Sequence, residues 1–320
     1  MQGQTMGRKQ AETPPNSQIR ERKTPHILLT GGTGLIGRKL GSALAQAGYT
    51  VTVLSRTAGE LPFGKVLRWD GRTLPSEAEK EPLTAIIHLA GANIAERRWT
   101  EAYKQTLWES RVESTKAIAD WLRKVAPHVH LVSASAVGYY GATTTQTLLT
   151  EESAPGKDFL AGLAQAWESA AWEAPQPPTI FRLGVVLSSK GGAWPKLRQA
   201  FRWGIGTYFA PGHQGFSWIH IADVVRAFLW ALEGSERRGI YNLTAPEPLS
   251  VKAFATLIHK RLGGRWLLPL PESILRVALG EMADTLTKGA YVKPERLLRE
   301  GFSFQYPSAE SAIEALLQER

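Results

Sequence analysis

Apolar and polar positions along this chain follow two alternating periods. Residues 26–30 (HILLT) form a short apolar run of the length expected for a strand buried on both faces. Leu35, Ile36, Leu40, Leu44 and Ala47 then recur at helical spacing, Gly48 closes that helix, and residues 50–54 are apolar again. Further strand-like runs at 65–69, 85–89, 128–133 and 179–183 alternate with helical patterns at about 101–125 and 158–172. Six strands in this rhythm predict an α/β fold with a doubly wound parallel sheet.

The pattern changes after Leu183. Gly191, Gly192, Gly204, Gly206, Gly212 and Gly215 are interleaved with Trp194, Trp203 and Trp218, as in the lining or lid of a pocket. A helix at 220–233 with an extended entry, a short strand at 240–243 and a capped helix at 250–262 follow. Two or three short helices beyond a Leu-Pro separator at 267–271 suggest a small C-terminal domain. The expected organisation is a disordered tail at 1–24, a nucleotide-binding domain at 25–183, an interleaved substrate-side segment at 184–264 and a helical domain at 265–320.

The glycine turn carries the first chemistry. Thr30-Gly31-Gly32-Thr33-Gly34-Leu35-Ile36-Gly37 joins the first strand to the first helix. Gly31 permits the tight turn, Gly34 lets backbone approach a pyrophosphate, and Gly37 lets helix and sheet pack closely. The helix end offers free N–H groups and the positive end of its dipole to phosphate. Ser55 and Arg56 end the second strand, where an Asp or Glu would select the ribose hydroxyl of NAD; a hydroxyl and a guanidinium there suit the 2′-phosphate of NADP(H).

Composition narrows the rest. A chain of 320 residues that is 43% hydrophobic supports a large core. It has no cysteine, which excludes disulfides, zinc-thiolate sites and a thiol nucleophile. The polar tail lacks the apolar stretch of a secretory signal, and no later stretch is long and apolar enough to span a bilayer. The expectation is a cytoplasmic protein with a small-molecule substrate, no membrane or nucleic-acid partner, and a homodimer as one arrangement. The net charge of +9 prompts a nucleic-acid reading, but no helix-turn-helix, zinc or RNP-type pattern accompanies it.

Taken together, these motifs resemble the extended short-chain dehydrogenase/reductases, and within them the atypical branch of epimerase-family (sugar-nucleotide epimerase-like) proteins. Residues 88–94 (HLAGANI), 97–100 with Ser110-Arg111, 138–141 (GYYG), Arg182 with 184–187, 218–223 (WIHIAD) and 293–297 carry the likeness. It implies a Rossmann domain holding NADP, with Leu89, Ala90 and Gly91 against the adenosine side, Arg111 towards the phosphates and Val185 and Val186 near the nicotinamide. It also implies a catalytic Ser, Tyr and Lys. Ser135 falls on the Ser position. A Glu lies eight residues after the Tyr in that family; Glu168 fits, which puts Leu160 at the Tyr position and Ala164 at the Lys position, and neither moves a proton. Tyr139 and Tyr140 are the replacement phenols, and Asn93, Trp218 and His220 the expected substrate contacts. Two functions follow: an NADP-dependent oxidoreductase or epimerase-like enzyme acting on a carbonyl or sugar-nucleotide-like substrate, and a catalytically silent NADP-dependent sensor or partner-binding protein.

Overall fold

The computed structural model describes residues 24–319 apart from 58, 202, 203 and 235. The expected tail at 1–24 therefore lies almost wholly outside the described residues. In chain order the first half comprises β1 (His26–Thr30), α1 (Leu35–Gln46), β2 (Thr50–Ser55), β3 (Lys65–Arg68), β4 (Ala85–His88), α2 (Glu101–Trp108), α3 (Ser114–Val125), β5 (His130–Ala136) and α4 (Phe159–Trp172). Strands Thr179–Leu183 and Gly239–Leu243 complete a seven-stranded, all-parallel sheet. Its order is 239–243, 179–183, β5, β4, β1, β2, β3. The strand predicted at 240–243 thus joins the main sheet, one strand more than the six counted from the pattern.

Strand alternation sorts the core onto the two sheet faces. Ile27, Leu29, Val51, Val53 and Ile87 pack with Leu40, Leu44 and Phe228 on one face. Leu28, Leu54, Ile86 and Leu131 pack with Ile118 and Leu122 on the other. Helices cover both faces, which is why these strands read as continuous apolar runs.

Two local departures matter for the site. The helical pattern at 101–125 is one rod interrupted by a π-turn at Glu109–Glu113, which carries Ser110 and Arg111. The Leu-Pro stretch read as a separator is a strand, Trp266–Leu270, paired in parallel with Ile205–Phe209. A two-stranded pair has only edges, so it tolerates the missing N–H of Pro269. The helices α5 (Ala193–Ala200), α6 (Ile221–Glu233), α7 (Val251–Arg261) and α8 (Glu272–Leu279) surround this second half.

Four imidazoles are buried, those of His26, His88, His130 and His220, and burial lowers the pKa of each. Burial lowers His88 and His130 from the usual value to about 3, with Arg111 and Arg238 beside them acting in the same direction. Burial lowers His220 to about 4. Each binds its proton less well folded than unfolded, so its contribution is intact above about pH 6.5 and is lost as pH falls towards the folded values. Urea unfolding followed between about pH 7 and 5 should show stability falling by up to ~1.4 kcal/mol per pH unit for each histidine. A flat profile over that interval would contradict the neutral burial.

Candidate cofactor crevice and its catalytic flank

The carboxyl ends of β1, β2 and β4 open into a crevice of about 1360 Å³. It lies where the chain leaves β1 towards β2 on one side and β4 on the other, the switch point at which open α/β sheets bind ligands. Gly31, Thr33, Gly34, Ser55, Arg56, Leu89, Ala90 and Gly91 all line it. Gly31 adopts φ +69, and a Cβ there would stand 2.7 Å from the Leu89 carbonyl. A Cβ on Gly37 would stand 2.2 Å from the Gly31 oxygen, so α1 rests directly on the turn. No side chain caps α1 at Gly34, leaving its first N–H groups for a ligand.

The rim supplies a charge. Arg56 is exposed and has no ion-pair or hydrogen-bond partner among the described residues. Ser55 next to it is buried and accepts from the Thr57 N–H at 3.3 Å. Asp70, which the sequence reading passed over, also lines the crevice. The N–H groups of Arg72 and Thr73 bond its carboxylate and hold it below the usual range. Its position two residues past β3 was the available signal.

Beneath the crevice a buried chain of hydrogen bonds fixes the β4 turn. Thr30 Oγ1 accepts the Leu89 and Ala90 N–H groups at 3.1 Å each, and its proton goes to His88 Nδ1 at 2.7 Å. That assigns the neutral His88 proton to Nε2, which lies 3.3 Å from Ser114 Oγ. The π-turn grips the same loop one residue on. Ser110 Oγ accepts from the Ala92 N–H at 3.0 Å, and Arg111 Nη2 donates to the Ala92 carbonyl at 2.9 Å. The Arg111 guanidinium lies against Gly91 and over the Trp167 ring. Burial lowers it to about 10, still protonated at neutral pH. Leu35, Ile36, Gly37, Val185 and Val186 do not line the crevice. Leu35 packs against Gly191 and Gly192, the hairpin following Val185 and Val186.

The catalytic flank differs from the expectation. Ser135 is buried, and its hydroxyl donates to Glu168 Oε1 at 2.7 Å. Glu168 is in turn held by Arg182, Nε to Oε1 and Nη2 to Oε2, both at 2.8 Å. Tyr140 is corrected from an acid to a structural phenol. It accepts from Arg182 Nη1 at 3.0 Å and lies 2.7 Å from Asn242 Oδ1, and burial pushes it up to about 12. Tyr139 is half-buried, with its ring 3.3 Å from the Arg182 guanidinium carbon, and its hydroxyl has no partner among the described residues. Leu160 stands over Gly138, and Ala164 is buried on α4. No proton donor replaces the Tyr and Lys at those positions.

The expected substrate contacts also separate. Trp218 is packed on Phe254 inside the second-half core and has no open face. His220 is buried, accepts the Ala222 N–H at 3.2 Å as the cap of α6, and stacks 4.0 Å from Tyr306. Both are corrected from pocket contacts to packing residues. Asn93 is exposed and bonds the Ala95 N–H in its own turn. The loop it begins is clasped from the C-terminal side. Arg98 donates to the Val277 and Ala278 carbonyls, and Lys104 pairs with Glu281 at 2.7 Å.

Known proteins share this arrangement over most of the chain. The model of the NAD dependent epimerase/dehydratase family matches residues 27–244, and a domain of unknown function (DUF1731) matches residues 270–316. Epimerase family protein YfhF of Bacillus subtilis is 33% identical over 301 residues, covering 92% of this chain and 99% of that protein. The crystal structure of human epimerase family protein SDR39U1 (isoform 2) with NADPH superposes with TM-score 0.83 at 32% identity, covering 92% of this chain and all of that one. A nucleoside-diphosphate sugar epimerase from Corynebacterium glutamicum superposes with TM-score 0.75 at 29% identity, covering 92% of this chain and 58% of its own. With its glycine turn, parallel sheet and appended C-terminal segment, the chain belongs to the NAD-dependent epimerase/dehydratase family, in the extended short-chain dehydrogenase/reductase manner.

Proposed function

We propose that the crevice binds NADP(H) and that the protein is an epimerase-like oxidoreductase acting on a carbonyl or hydroxyl carbon. The observation that carries the cofactor assignment is the pairing of an uncapped α1 N-terminus with the unpartnered Arg56 on the opposite rim. The free N–H groups suit a pyrophosphate, and the guanidinium suits a ribose 2′-phosphate. A relative with 32% identity was crystallised with NADPH, which supports the same choice. Leu89, Ala90 and Gly91 would shape the adenosine side. Arg111 would lend its charge from beneath the Gly91 turn without leaving its bonds.

A bound nicotinamide dinucleotide would supply the hydride chemistry. What this chain adds is limited to one phenol. Tyr139 would exchange the proton at the substrate oxygen, its ring held in place against the Arg182 guanidinium. Ser135 is spent on Glu168 and positions the network rather than the substrate. Leu160 and Ala164 favour the second reading, a protein that senses NADP(H) without turning it over.

Two measurements separate these. Nicotinamide-dependent quenching of tryptophan fluorescence should show tight NADPH binding, weaker NADH binding, and a loss of about tenfold or more for NADPH in Arg56→Asp, since a charged hydrogen bond is removed and a repulsion added. Equal affinity for both nucleotides would refute the reading of Arg56. NADPH oxidation against a panel of carbonyl compounds should fall by on the order of 10²–10⁴ in Tyr139→Phe with NADPH affinity retained. Wild-type binding with no turnover on any carbonyl establishes the sensor.

A further inference from the structure

Two neighbouring strand ends carry cations at the rim of the crevice. β2 and β3 run parallel with Ser55 opposite Arg68, and the Trp69 N–H donates to the Ser55 carbonyl at 2.8 Å. Arg56 therefore leaves β2 beside the turn at 70–73 that leaves β3. That turn is fixed by its own side chain. Asp70 Oδ1 accepts the N–H groups of Arg72 at 2.8 Å and Thr73 at 3.1 Å, and Gly71 adopts φ +93, where only glycine is free of strain. Arg72 lines the crevice together with Arg56. It is exposed, and its guanidinium has no ion-pair or hydrogen-bond partner among the described residues. Its charge still reaches Asp70 and favours the ionised carboxylate, which keeps it at this rim.

Arg56 alone does not balance the charge of the group it is read as binding. A phosphate monoester carries about −1.5 to −2 at neutral pH and presents three acceptor oxygens. Arg56 brings one positive charge, while Asp70 and Glu79 on the same lining bring two negative ones. Ser55 is buried, and its hydroxyl is engaged with Thr57. Of the other cations lining the crevice, Lys116 is paired with Glu113 at 3.3 Å, and Lys124 belongs to the last turn of α3. Arg72 is the unpaired cation on the turn beside Arg56.

We propose that Arg72 is a second specificity-determining residue of the crevice, closing on the same ribose 2′-phosphate that Arg56 receives. Preference for NADP(H) over NAD(H) is then divided between the ends of β2 and β3. Asp70 acts as the positioning residue, because its carboxylate sets the turn that carries Arg72. A guanidinium from each strand end would reach different oxygens of one phosphate, and each would add a charge-assisted hydrogen bond. This inference rests on the NADP(H) reading of the crevice and adds to it a residue that the glycine fingerprint does not predict.

The test compares affinities of the full chain for NADPH and NADH, and for adenosine 2′,5′-bisphosphate and adenosine 5′-phosphate as competitors, in Arg72→Ala, Arg72→Glu and Arg68→Glu. Arg68 is exposed on β3, four residues before Arg72, and does not line the crevice, so its variant makes the same charge change away from the phosphate. Arg72→Ala should weaken NADPH and the bisphosphate by about fivefold to tenfold, with NADH and the 5′-phosphate changed by less than about twofold. Arg72→Glu should weaken NADPH further, and Arg56→Ala with Arg72→Ala should bring NADPH and NADH to equal affinity. Circular dichroism should match the wild type, since both arginines are exposed. An unchanged preference in the Arg72 variants, an equal loss for NADPH and NADH, or an effect of Arg68→Glu as large as that of Arg72→Glu would overturn the proposal. If the wild type prefers NADPH and Arg56→Asp removes that preference while the Arg72 variants keep it, only this inference fails. If the wild type binds neither nucleotide, the cofactor reading fails and this one with it.

Discussion

A carboxylate taken out of water must be paired on every side, and Glu168 is paired by a serine and by both arms of a guanidinium. That constraint organises the catalytic flank. Arg182 comes from the strand beside β5, Ser135 from β5 itself, and Glu168 from the helix between them. Arg182 continues outward to Tyr140, and Tyr140 to Asn242 on the sheet's edge strand. Asn242 Nδ2 then donates to the Lys293 carbonyl in the C-terminal segment at 3.0 Å. The ion pair therefore joins three strands, one helix and the appended segment. Removing one partner leaves the other buried and unpaired, at a cost of about 3–5 kcal/mol.

The same arrangement explains why the chemistry was harder to read than the fold. Ser135 is a serine in the right place, but its proton is already given to Glu168, and no sequence pattern records where a hydroxyl points. Tyr140 and Tyr139 are adjacent letters with opposite fates. One is sealed among Arg182, Asn242 and Thr150; the other lays its ring on Arg182 and keeps a free hydroxyl. Trp218 looked like a pocket residue because glycines surround it, and His220 because it stands in the same motif. Phe254 and Tyr306, more than thirty positions away, take their open faces instead.

The cofactor crevice was legible because its requirements are local. Gly31 at φ +69 and Gly37 against the Gly31 oxygen are dictated by residues within one turn and one helix. Ser55-Arg56 follows from counting to the end of the next strand. What stayed hidden was the support: Thr30 and His88 lie 58 residues apart and His88 and Ser114 another 26, and they meet only through β1, β4 and α3. The π-turn was hidden too, since one extra residue in a helical rod barely disturbs an amphipathic pattern. It matters because it brings Ser110 onto the N–H and Arg111 onto the carbonyl of Ala92.

Binding and catalysis in this architecture rest on different materials. The crevice is built from backbone: a glycine turn, a helix end and carbonyls fixed by buried side chains. The candidate catalytic flank is built from side chains on α4 and after β5; Leu160 and Ala164, at the positions where the family resemblance expects a Tyr and a Lys, are good helix formers and pack well. A chain can therefore keep its nucleotide site whole while its acid–base pair changes. That is the physical reason the fold and crevice identify the family more firmly than they identify a reaction, and why the free hydroxyl of Tyr139 decides between a turning enzyme and a silent binder.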